Sequence, residues 1–198
     1  MRIKKFSPAT VFFLAVVVVL GGCDMFAGSA GRITDKLKDA PFPYEHVSEA
    51  NITITRIEML GTSGTKNWLV GDLTRQFNLL NFRNGATATI VPDVEIPAGT
   101  YDRIRISMRP TATVVLKNGT RFSVDSGTEA PVIVQIPEFE FDHGDDEAEA
   151  VIDFDVEQSF TAQGDVSTVE GITGFTYFPR LVAESFKLNN ETMEVPAE

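Results

Sequence analysis

The densest group of side chains able to do chemistry is the run Glu140 to Glu149, EFDHGDDEAE, where Asp142, Asp145, Asp146 and Glu147 surround Gly144. Calcium takes six to eight oxygen ligands, and carboxylates crowded on a glycine-containing loop can supply several of them. These four residues are the candidate metal ligands, with Ca2+ as the candidate cation. Their spacing departs from the EF-hand loop, with its acids at 1, 3 and 5, glycine at 6 and glutamate at 12. A solvated acidic hairpin loop is the simpler account. A second acidic row, Asp153, Asp155 and Glu157, alternates along one strand, and alternate residues lie about 7 Å apart, too far for neighbours alone to chelate. His46 and His143 are the two histidines, far apart in the chain and outside any H-E-x-x-H pattern. Ser63 lies in GTSGT, with no strained G-x-S-x-G elbow, and phosphate-binding glycine loops are missing. No catalytic residue is nominated, and the chain reads as a non-enzyme. Trp68, the single tryptophan, is expected to pack in the core at a strand start, with stacking on a sugar as the alternative. The same alternative applies to Tyr101 and Tyr177.

Cys23 is the single cysteine. It follows a cationic start, Met1-Arg2-Ile3-Lys4-Lys5, and an apolar stretch from Val11 to Leu20. That stretch is half the ~20 residues needed to cross a hydrocarbon core. A basic start, a short apolar core and small residues at the end mark a secretory signal. Leu20-Gly21-Gly22-Cys23 resembles the lipobox of bacterial lipoproteins, where the thiol receives a diacylglyceryl group and the chain is cut just before it. The resemblance implies a signal peptide over 1–22 and lipidation of Cys23 with acyl chains such as palmitate. No thiol then remains for disulfides or thiolate catalysis. A single acyl chain holds only marginally, whereas two or three anchor a protein lastingly. Asp24 resembles the inner-membrane retention signal of enteric lipoproteins. The expected location is the bacterial cell envelope, on the periplasmic side of the inner membrane or on the outer membrane.

The formal net charge is −11, and the signal segment removes three basic residues and no acidic one. Nucleic acid and anionic headgroups are recognised by basic patches, which are missing, so nucleic acid is excluded as a partner. Residues 23–40 read as the lipidated cysteine and a flexible tether, with one helical turn at Ile33–Leu37. From Tyr44 the hydrophobic period is two. NITITRIEML alternates Ile52 and Ile54 with Thr53 and Thr55, then shifts phase to Ile57 and Met59, which predicts a β-bulge near Arg56. YDRIRISM sets Ile104, Ile106 and Met108 against Arg103, Arg105 and Ser107. Asn118-Gly119 predicts a hairpin with a type I′ turn. PVIVQI predicts a strand stopped by Pro131 and Pro137. AEAVIDFDVEQSF turns Ala150, Ile152, Phe154 and Val156 inward. GFTYFPRLVAESFKL reads as one long strand, and DLTRQFNLLNFRNGA leaves helix and strand in competition. Phe139, Phe141, Phe154, Phe160, Phe175 and Phe178 are the expected core aromatics. The fold class is all-β, an antiparallel β-sandwich in the style of transthyretin-like or Ig-like domains. One domain spans 41–188, with a C-terminal tail over 189–198.

Several ordered segments carry a family resemblance. DAPFPYEHVSEANITITRIEM, FNLLNFRNGATATI, EIPAGTYDRIRISM, VIDFDVEQSF and FTYFPRLV together resemble the bacterial lipoprotein family of unknown function called DUF4382, over roughly residues 36–188. Leu79-Leu80 before Asn84-Gly85-Ala86, and Pro97-Ala98-Gly99-Thr100-Tyr101 before Ile104-Arg105-Ile106, are the most specific pieces. The resemblance implies a secreted or lipid-anchored β-sandwich and no agreed activity. The leading expectation is a non-catalytic, membrane-anchored envelope lipoprotein whose sandwich binds an envelope protein or polysaccharide. The alternative is a Ca2+- or carbohydrate-binding module that uses the Asp142–Glu147 loop.

Overall fold

Alternation of apolar and polar residues builds the strands that hold the molecule together. In the computed structural model, which describes residues 30–39, 45–62, 65–127, 131–142 and 144–197, thirteen strands account for most of the described residues. They are β1 (Gly31–Asp39), β2 (Val47–Gly61), β3 (Trp68–Asn78), β4 (Ala88–Ile96), β5 (Gly99–Met108), β6 (Thr111–Leu116) and β7 (Arg121–Asp125). The rest are β8 (Val132–Phe141), β9 (Glu147–Phe154), β10 (Phe160–Gly164), β11 (Ile172–Tyr177), β12 (Leu181–Leu188) and β13 (Glu191–Met193). A 3-10 helix, Leu79–Gly85, joins β3 to β4, and a single helical turn, α1 (Val156–Ser159), follows β9.

Two sheets face each other in an all-β sandwich. One has the order β13-β12-β9-β1-β4. The other centres on β2, which has β3 on one side and β5 followed by β6 on the other. β8 pairs with β5, and β7 with β6. A separate ribbon, β10–β11, closes one end of the sandwich, where Phe122 meets Phe175 edge-on at 5.5 Å. Ile33, Leu37, Ile152 and Phe154 face Ile54, Ile57, Ile104 and Ile106 across one continuous core. Each such side chain contributes about 1.5–3 kcal/mol on burial.

An aromatic knot ties the sheets together. Phe139 lies 4.9 Å from Phe141, 5.9 Å from Tyr101 and 4.8 Å from Phe186 of the opposite sheet. Tyr101 is buried, and its hydroxyl donates to the Pro97 carbonyl at 2.9 Å, pinning the turn that launches β5.

The bulge near Arg56 is present, as register shifts between Ile54 and Arg56 against both neighbours of β2. Several expectations change. The second half of the expected tether is β1, antiparallel to β4 and parallel to β9 in the middle of its sheet, so Ile33–Leu37 is strand and not a helical turn. Pro137 does not stop β8. It sits on an edge strand at a bulge, where Tyr101 pairs with Phe139 but Arg103 with Gln135, and an edge or a bulge is where a strand tolerates proline. The long final strand is two, β11 and β12, parted by Phe178-Pro179-Arg180. DLTRQFNLLNFRNGA is both things in turn, strand to Asn78 and then 3-10 helix.

Asn118-Gly119 does turn a hairpin, but only Gly119 takes a positive φ, +87°. Its N–H donates to the Leu116 carbonyl at 2.9 Å and Leu116 N–H to the Thr120 carbonyl at 2.8 Å, so the loop is a type I turn ending in a left-handed glycine. The type I′ pair is Asn189-Asn190, φ +51° and +65°, which folds the start of the expected tail back as β13.

Candidate binding surface

The strands sort the loops into two ends. Gly31 opens β1 at one end beside Phe141, whose ring a Cβ at Gly31 would strike. Gly99, Thr65, Asp146 and the Asn189-Asn190 turn lie at this same entry end. The far end carries α1, the β10–β11 ribbon and Phe178, whose N–H donates to the Ser159 carbonyl.

Of the four candidate metal ligands, Asp146 is buried and the other three are exposed. The Asp146 carboxylate accepts the Asp142 N–H at 3.1 Å and the Asn189 side-chain amide at 2.9 Å, while its own carbonyl accepts the Arg32 N–H at 2.8 Å. Asn189 returns a contact from its Oδ1 to the Glu147 N–H at 2.8 Å. The arrangement is a clasp joining the β8–β9 loop, β1 and the β12–β13 turn. Among the described residues, no three His, Cys, Asp or Glu side chains converge on a metal-sized space. His143 and Ser63 lie outside the described residues, as does Cys23. Asp146→Ala is expected to cost about 1–3 kcal/mol, from the amide donors it leaves without partners. The loss should be the same in calcium and in EDTA when melting is followed by circular dichroism.

The outer face of β9, β1 and β4 holds a cleft of about 200 Å³ lined by Arg32, Thr34, Asp93, Glu149, Lys187 and Asn190. Each basic group in it already faces a carboxylate. Arg32 reaches Asp93 at 2.7 Å and Glu95 at 3.3 Å, and Lys187 stands 3.9 Å from Glu149, which also holds Lys36 at 2.6 Å. The expected acidic row over 153–157 is broken up. Asp155 caps α1 by accepting the Gln158 N–H at 2.9 Å. Asp153 is half-buried near Lys38, which pairs with Glu184. Burial first, and the Glu184 charge second, raise the Asp153 pKa.

The aromatic candidates also move. Trp68 is not in the core but 43% exposed at the start of β3, and Phe178 is 64% exposed. Tyr101 and Tyr177 are sealed, Tyr177 stacked on Phe160 at 4.8 Å, so neither can meet a sugar. His46 Nε2 lies 3.2 Å from the Ser167 carbonyl.

Sequence reasoning missed Asp35. It occupies a core position on β1 between Ile33 and Leu37, fully buried, with neither oxygen hydrogen-bonded among the described residues. Burial pushes its pKa up to about 7. The register against β4 shifts on both sides of it.

With this geometry in view, a model for a domain of unknown function, DUF4382, matches residues 30–169. The chain belongs to the DUF4382 family. The DUF4382 match begins at Ala30, so β1 lies within the matched segment. It ends before β11 and β12, yet β12 pairs with β9, so the fold of this DUF4382 protein continues past the matched residues. No curated protein and no solved structure matches the chain.

Proposed function

We propose that this protein is a non-catalytic lipoprotein of the bacterial cell envelope, anchored through Cys23, whose sandwich binds an envelope protein or polysaccharide. The Leu20-Gly21-Gly22-Cys23 motif carries the anchor half of this reading. Two observations favour binding over catalysis. Asp35, whose carboxyl pKa burial raises to about 7, is shut inside the core where no substrate reaches it. The far end instead offers Phe178, an exposed aromatic of the kind that anchors protein contacts.

Crosslinking in native membranes tests the reading. With a photo-crosslinker at position 178, one envelope component should be recovered repeatedly. The same probe at exposed Glu157, about one α-helical turn's worth of chain from the ribbon, should give a weaker version of that pattern. Recovery of unrelated neighbours from both positions would reject a binding role for this end.

A further inference from the structure

Only seven residues, eight Cα-to-Cα steps, separate Cys23 from the start of β1 at Gly31. Fully extended, that length of chain reaches at most about 29 Å. β2 alone has 15 residues and spans about 50 Å. A leash shorter than the body it holds decides which end of the body faces the anchor.

That end carries exposed apolar surface. Trp68 pairs with Met59, two residues before β2 finishes at Gly61, and Gly61 pairs with Tyr101 beside the entry turn. Trp68 and its neighbour Leu69 are each 43% exposed, and Lys66 and Asn67 before them are exposed as well. Tryptophan is favoured at the headgroup level of a bilayer, where an apolar ring with one polar edge suits both environments. A lysine alongside can lay its stem on apolar surface and keep its charge in water.

We propose that the Trp68–Leu69 step of β3 seats in the headgroup region of the bilayer that carries the Cys23 lipid. This rests on the lipid-anchor reading above. It adds a second, non-covalent contact that holds the sandwich upright and turns the Phe178 end away from the membrane. The preferred surface is neutral phospholipid. Exposed Asp142, Asp145 and Glu147 stand at the same end, and within a Debye length of about 8 Å they are repelled by anionic headgroups.

Trp68 is the only tryptophan, so its fluorescence reads the contact directly. The full chain would be produced with its signal, extracted in detergent, weighed intact, and reconstituted in phosphatidylcholine vesicles with or without bromine on the upper acyl carbons. The expected result is an acylated mass, blue-shifted emission and roughly twofold quenching by bromine, as befits an interfacial tryptophan. Leu69→Glu should remove most of the quenching while leaving the melting temperature unchanged. An acylated protein with water-like emission, or with quenching indifferent to Leu69→Glu, overturns the docking contact and leaves the anchor standing. A mass without acyl groups overturns both.

Discussion

Asp35→Val is expected to stabilise the protein at pH 7 by about 4 kcal/mol, using 1.36 kcal/mol per pKa unit between about 7 in the fold and 3.8 in the unfolded chain. Burial raises the folded pKa, so between these two values the folded state keeps a proton that the unfolded state has released. The stability associated with this proton is fully present below about 3.8, falls as pH rises towards 7, and is flat above. The variant should lack that descent. Valine suits the site because β1 is a strand and the neighbours Ile33 and Leu37 are core residues. For a chain of this size the gain corresponds to roughly 10 °C in Tm. Denaturant titrations of both proteins from pH 4 to 8 would check it. If the two curves run parallel, the Asp35 carboxyl is ionised normally and the prediction is wrong.

Phe139→Ala is expected to act in the opposite direction and nearly as strongly, costing about 3–5 kcal/mol. Its ring touches Tyr101 and Phe141 within one sheet and Phe186 in the other. Truncation therefore opens a cavity at the point where the sheets meet. Since domains are stable by only ~5–15 kcal/mol, the variant should be partly unfolded at 37 °C. A double-mutant cycle with Phe186→Ala separates the inter-sheet contact from the local cavity, with about 0.5–1.5 kcal/mol of coupling expected for an aromatic pair. Coupling near zero would mean that the 4.8 Å approach contributes only buried area.

How much of this was legible depended on whether a residue obeyed the pattern of its own element. β5 and the inward row of β9 were readable because Ile104, Ile106 and Met108, and Ala150, Ile152 and Phe154, alternate cleanly with polar residues. β1 was unreadable for a single reason. Its inward row is Ile33, Asp35, Leu37, and the acid in the middle leaves two apolar residues four apart, which is the spacing of a helix turn. Phe178 and Trp68 were misplaced because an aromatic type predicts burial on average, whereas exposure is set by where a strand stops and which sheet covers it. The Asp142–Glu147 run marked the location of the entry-end clasp but not all of its members, since one partner of Asp146 is Asn189, more than forty residues away.

The setting of β1 also has a mechanical meaning. It lies between two neighbours, paired with β9 along Arg32–Asp39 and with β4 from Gly31 to Leu37. A pull applied at its Gly31 end runs along the strand, perpendicular to the hydrogen bonds with β4 and oblique to the slanted bonds of the parallel ladder with β9. Both ladders are then loaded in shear, and their bonds must give way together rather than one after another. Tension between the Gly31 end and the far end is thus shared by two ladders of one strand at once.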